Sequence, residues 1–176
     1  MHFVLMGLRG SGKSTLGRRL AAVRKWPFVD LDECTPAEMG LANVAEAWAL
    51  HGEHAFRRAE VAALAKVLAL SPRVIALGGG TPTAPGAEAL LRGSIAREVV
   101  RIAYLRGSAE TLRARLTDAA NTHRPSLTGS DVVAEVAQVL ATRDPLYAAL
   151  ATDVVHIDGR SEDDVLSELL RLSEGS

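Results

Sequence analysis

Gly7, Gly10, Gly12, Lys13 and Ser14 complete the pattern G-x-x-x-x-G-K-[ST], a spacing suited to holding the phosphates of a nucleotide. Glycines there let backbone N–H groups close on phosphate oxygens, and the helix start that follows adds partial positive charge. Lys13 is placed to neutralise the outer phosphates, and the Ser14 hydroxyl is a hard-oxygen ligand for Mg²⁺. A glycine-rich turn with no ligand is the competing reading, and the context argues against it. Phe3–Met6 is an apolar run with strand character, and Leu16, Leu20 and Val23 recur at helical spacing after the loop.

Many proteins with such a loop take a second magnesium contact from an aspartate that ends an apolar strand. The strand expected at Val74–Leu77 ends instead in Gly78-Gly79-Gly80, a triplet expected to expose backbone donors in a cleft. Asp30 and Asp32 are the substitutes, because they close the strand expected over Pro27–Asp32. Two residues apart on an extended chain they share a side, so one can hold a magnesium-bound water while the other meets an acceptor hydroxyl. Capping of the following helix is the alternative for both.

Three arginines stand out. Arg57 precedes Glu60 by three positions, which on its own predicts a surface ion pair on one helix face. Arg143 continues the apolar stripe Val132, Val136, Val139, Leu140, so its guanidinium emerges at the core or a cleft, or snorkels at a helix end. Arg124 lies in a loop-like segment, either as part of a closing lid or as a solvated side chain. His51 and His54 are an i, i+3 pair with no third ligand beside them at helical spacing, which reads as a solvated helix face.

The elements that must position these residues alternate between strand and helix along the whole chain. Further strands are expected over Val99–Leu105 and Val154–Ile157, and helices over Ala84–Leu91, Ala109–Leu116, Asp131–Ala149 and Glu162–Leu172. That rhythm predicts an α/β fold: three layers around a doubly wound, five-stranded parallel sheet. Residues 32–61 form a broken helical region, punctuated by Pro36, Gly40 and Gly52, and residues 118–130 supply loop formers and read as a lid.

At 176 residues a single domain, 1–176, is expected. A formal net charge of −1 excludes the basic excess that nucleic acid or an anionic membrane surface requires. One cysteine, Cys34, excludes an intrachain disulfide and a cysteine metal cluster, and no stretch approaches a membrane span. A cytoplasmic monomer acting on a small molecule is expected.

Taken together, six segments resemble shikimate kinase over essentially the whole chain. They are Gly7-Leu8-Arg9-Gly10-Ser11-Gly12-Lys13-Ser14-Thr15, Phe28-Val29-Asp30-Leu31-Asp32, residues 52–60 from Gly52 to Glu60, Leu77-Gly78-Gly79-Gly80, Arg124-Pro125 and Arg143-Asp144-Pro145-Leu146-Tyr147. The resemblance implies a P-loop kinase of the nucleoside-monophosphate-kinase type, with a helical substrate-binding region and a lid. It implies ATP- and Mg²⁺-dependent phosphorylation of the 3-hydroxyl of shikimate, a step toward aromatic amino acids.

By the same resemblance Asp32, Arg57, Gly79 and Arg143 bind shikimate, and Lys13, Asp32 and Arg124 are catalytic. Gly10, Ser11, Gly12, Lys13, Ser14, Thr15 and Arg124 hold the nucleotide, with Arg160, or Arg113 or Arg115, as adenine contacts. Ser14 ligates Mg²⁺ directly and Asp30 through water. The alternatives are another small-molecule kinase such as gluconate kinase, whose acceptor also carries a carboxylate and hydroxyls, or a non-catalytic nucleotide-binding switch.

Overall fold

The apolar run ahead of the glycine loop forms β1 (His2–Met6), and every residue in it is buried. The computed structural model describes residues 1–118 and 132–174 of the chain. β1 pairs in parallel on one side with β3 (Val74–Ala76) and on the other with β4 (Val100–Arg106). β2 (Phe28–Asp30) and β5 (Asp153–His156) are the edges, giving the order β2-β3-β1-β4-β5, all parallel.

Such a sheet is covered on both faces, so its inner strands must be apolar without interruption. Phe3, Leu5, Ile75, Ile102 and Ala103 are fully buried, and each large side chain among them contributes roughly 1.5–3 kcal/mol on transfer from water.

One layer contains α1 (Lys13–Arg24) and α7 (Glu162–Ser173), which pack on one another. α4 (Ala87–Ala96) and α6 (Val132–Leu150) pack on β4 and on each other, and α5 (Ala109–Asp118) lies against α6. α1 sits close to the sheet because of Gly17: a Cβ there would come 2.6 Å from the Phe28 ring and 3.2 Å from Leu5. The expected three-layer, doubly wound five-stranded sheet is therefore the observed architecture.

α2 (Leu31–Glu38) and α3 (Val44–Leu68) pair beside the β2 edge. α3 is interrupted at Gly52, whose φ of 76° and ψ of 165° are not helical, so two helical pieces meet at an angle there. The broken region foreseen between 32 and 61 is thus these helices.

Two of the boundaries that differ from expectation have a clear local cause. β2 ends at Asp30, and Asp32 lies in the first turn of α2, because the Asp30 side chain accepts from the Asp32 backbone N–H and starts the helix there. α4 begins at Ala87 and not Ala84, since Pro85 lies outside it and Gly86, at φ 90°, is the residue that turns the chain into it. The expected lid at 118–130, and Arg124 with it, falls almost wholly on residues outside those described.

Candidate active site

The register sets two glycine turns side by side. Leu5 pairs with Ala76, and the Leu77 N–H donates to the Leu5 carbonyl at 3.0 Å, so β1 and β3 end level. A Cβ on Gly79 would lie 3.5 Å from the Arg9 backbone nitrogen, in ordinary contact with the phosphate loop.

At the first turn, α1 opens at Lys13 after Gly12, whose φ of 92° suits glycine. No side chain caps this helix and its first turn carries no acid, whereas α2 and α7 place acids in theirs. The N–H groups and positive end of α1 are accordingly left for an anion. Gly7 has no room for a side chain, because a Cβ would come 2.6 Å from Ser11 Oγ and 2.8 Å from the Leu105 carbonyl. Lys13 is 8% exposed and donates to the Leu8 carbonyl at 3.0 Å, folded back over the loop. Ser11 is fully buried within it, and Thr15 is exposed.

α5 covers the loop: Leu112 O and Leu116 Cγ are 3.1 and 3.2 Å from where a Gly10 Cβ would be. Arg115 on the same helix reaches to 3.8 Å from a Gly12 Cβ, so it borders the phosphate loop. Arg160, by contrast, is held by Glu168 and by the carbonyls of His156 and Asp164 beyond β5.

Ser14 Oγ donates to Asp30 Oδ2 at 2.5 Å, while Asp30 Oδ1 takes the Asp32 N–H at 3.0 Å. The capping alternative holds for Asp30, which caps α2 with one oxygen and turns the other to the Ser14 hydroxyl of the phosphate loop. Burial raises its carboxyl above the ordinary range, and neighbouring Asp32 and Glu33 add to this, against the hydrogen bonds it accepts. A hydroxyl and a buried carboxylate fit Mg²⁺, which takes a few hard oxygens from protein and completes its shell with phosphate and water. Among the described residues no three His, Cys, Asp or Glu side chains cluster for a metal, and His54 Nδ1 meets Arg58 instead.

The second turn, Gly78-Gly79-Gly80, gathers side chains. A Cβ on Gly78 would meet Glu60 Oε1 at 2.7 Å, Thr81 Oγ1 at 2.7 Å and Asp32 Oδ1 at 2.8 Å, and one on Gly80 would occupy the space of the Arg57 guanidinium. The Gly79 carbonyl accepts from Arg143 Nη1 at 2.8 Å and from the Tyr147 hydroxyl at 2.6 Å. Beside the backbone donors expected of it, the triplet presents an acceptor carbonyl and the room that three missing side chains leave.

Arg57 pairs with Glu60 at 2.6 Å, and the pair is not on the surface: the two side chains are 11% and 2% exposed. Phe56, Ala63, Leu64 and Val67 line the same buried face of α3, a stripe in which Glu60 falls by spacing. That spacing was legible and outweighs the i, i+3 charge pattern. Burial raises the Glu60 carboxyl, with Arg57 and the Thr81 hydroxyl opposing it. The Arg57 guanidinium also lies 5.4 Å from the Trp48 ring centroid, and Trp48 meets Phe56 edge-on at 6.2 Å.

Burial pushes the Tyr147 hydroxyl up to about 12, while the charges of Arg143 and Arg57 pull the other way, so both guanidiniums bear on one point. The sequence alone assigns Tyr147 no role of its own. Its i+4 spacing from Arg143 is the signal that places both on one helix face. Asp32, Arg57, Gly79 and Arg143 are brought together at the Gly78–Gly80 turn; Lys13, Ser14 and Asp30 are brought together at the phosphate loop.

Known proteins are similar to this chain in sequence and fold. The sequence profile described as shikimate kinase matches residues 9–174. A shikimate kinase of Symbiobacterium thermophilum is 37% identical over 171 residues, spanning 97% of this chain and 94% of the relative. The structure of a shikimate kinase from Acinetobacter baumannii in complex with shikimate superposes with a TM-score of 0.85 at 26% identity, covering 99% of this chain and 93% of that one. A gluconokinase from Sinorhizobium meliloti reaches a TM-score of 0.56 at 20% identity, covering 99% of this chain and 94% of that one, and so shares the fold alone.

Proposed function

The chain belongs to the shikimate kinase family, and on that premise we propose that two adjoining glycine turns divide the reaction between them. An ATP-dependent kinase needs one site for phosphates and one for the acceptor, set so that the acceptor hydroxyl meets the γ-phosphorus in line. The single observation that carries the assignment is the Gly78–Gly80 turn, which collects Asp32, Arg57 and Arg143 beside the phosphate loop.

On the acceptor side, Arg57 and Arg143 supply planar guanidiniums for the substrate carboxylate. Asp32 orients the 3-hydroxyl of shikimate and accepts its hydrogen bond; a loose phosphoryl transition state asks little more of a base. On the nucleotide side, the N–H groups of Gly10, Ser11, Gly12, Lys13, Ser14 and Thr15 receive the phosphates. Lys13 and Arg124 neutralise charge that grows in transfer. Ser14, directly, and Asp30, through water, would hold Mg²⁺, which would supply positive charge to offset that of the phosphates. Arg115, beside Gly12, and Arg160, beyond β5, flank the adenine.

The enzyme is proposed to act as a cytoplasmic monomer and a single domain, with no nucleic-acid or membrane partner. The charge of −1 supports the lack of a nucleic-acid partner, and no helix among the described residues is long and apolar enough to cross a membrane. Purified protein should release ADP from ATP only with both Mg²⁺ and shikimate present, and gluconate should not replace shikimate. ADP release indifferent to shikimate would overturn the assignment, and light scattering of the same sample tests the monomer.

A further inference from the structure

Arg143 leaves α6 at a weak point of the helix. Pro145 lies inside α6 and has no N–H, so the Ala141 carbonyl gains no helical bond across this turn. The helix alone does not fix the residue that reaches Gly79.

Asp144, between the two, is held from β4. Arg106 Nε donates to Oδ1 at 2.8 Å and Arg106 Nη2 to Oδ2 at 2.6 Å, a planar fork, and the Tyr104 hydroxyl donates to Oδ1 at 2.8 Å. Tyr104 then packs edge-on against Tyr147, with ring centroids 5.6 Å apart and an interplanar angle of 85°. Tyr147 donates to the same Gly79 carbonyl as Arg143. Strand, helix and turn thus close a ring through Tyr104, Asp144, Tyr147 and Gly79. Burial works against ionising Asp144, yet the bonds from Arg106 and Tyr104 prevail and hold its carboxyl below the usual range.

We propose that Asp144, clamped by Arg106 and Tyr104 on β4, is a positioning residue for the acceptor: it fixes the proline-weakened turn of α6 so that Arg143 meets the substrate carboxylate. The proposal rests on the reading that Arg143 binds that carboxylate. The molecule contains its own control. Arg101, also on β4, grips Asp153 with bonds of 2.7 and 2.9 Å in the same forked manner, but Asp153 belongs to β5 and, among the described residues, no bond links that pair to the glycine turn.

The test compares Asp144→Ala, Asp144→Asn, Asp153→Ala and Arg143→Ala in steady-state kinetics and thermal melting. Asp144→Ala should raise the KM for shikimate about 10-fold or more, with the KM for ATP within about twofold of wild type. Asp144→Asn, which keeps an acceptor for Tyr104, should recover part of that loss. Asp153→Ala should lower the melting temperature as much while leaving the shikimate KM in place.

Equal shifts in shikimate KM for Asp144→Ala and Asp153→Ala, or none for Asp144→Ala, overturn the proposal. If Arg143→Ala also leaves the shikimate KM unchanged, the underlying assignment of Arg143 fails instead. Should Asp144→Ala not fold, Tyr104→Phe decides, since it removes one hydrogen bond at constant packing. A rise of about threefold in shikimate KM supports the clamp, and an unchanged value overturns it.

Discussion

The two glycine turns at the ends of β1 and β3 use the same residue for opposite ends. At Gly7–Gly12 the missing side chains let backbone donors turn toward an anion, and the loop is read from eight consecutive residues. At Gly78–Gly80 they clear space for Asp32, Glu60 and Arg57 and present one carbonyl to Arg143 and Tyr147, residues drawn from α2, α3 and α6. On the proposed assignment the first turn is a binding site by itself, and the second becomes one only when the rest of the chain has folded around it. A nucleotide site can therefore be common to many proteins while the acceptor site, built from distant residues, sets the reaction.

If that division holds, damage should segregate. The largest effect is expected for Lys13→Ala, with kcat down by about 10²–10³-fold and the shikimate KM little moved, in a coupled ADP assay. A shift in shikimate KM of the same size would show that the turns do not act separately. Gly80→Ala should come next: its Cβ would take the place of the Arg57 guanidinium, so shikimate KM should rise about 10-fold or more and stability fall by about 1–3 kcal/mol, while ATP affinity by calorimetry holds.

Arg143→Lys keeps the charge and loses the fork, so a shikimate KM raised by about 10-fold with kcat nearly unchanged sharpens the role of the second turn.

The smallest effect concerns Asp30. Burial raises its carboxyl above its ordinary 3.8, so the folded protein holds a proton that the unfolded chain would release. The stability this gives is fully present below 3.8 and is lost as pH rises through the raised value. Without Mg²⁺, Asp30→Asn should melt slightly above wild type at pH 7, and the gap should close as pH falls toward 3.8. Added Mg²⁺ should stabilise wild type and not the variant, and melting curves against pH with and without Mg²⁺ check both.

The same contrast explains what was legible. The phosphate loop, the strand-helix alternation and the parallel sheet are written in local spacing, and each was found where its residues stand. Asp32 was drawn onto a strand because acids suit the first turn of a helix as well as the end of a strand, and only the cap by Asp30 decides between them. The Arg57–Glu60 pair looked exposed because charge spacing is visible in four residues, whereas the buried stripe needs the whole run from Phe56 to Val67. The bond from Arg143 to Gly79 spans 64 residues and leaves no periodic trace. Family resemblance named both residues without the reason that joins them.

Gly79's carbonyl has a last consequence. It uses both lone pairs, one for Arg143 and one for Tyr147, while Arg57 is tethered by Glu60 and stacked on Trp48. If a carboxylate binds there as proposed, both guanidiniums are already held by these contacts before it arrives. Ordering a long side chain at an interface costs about 0.5–1.5 kcal/mol, and here that entropy is given up when the chain folds. The acceptor meets a site that is already still.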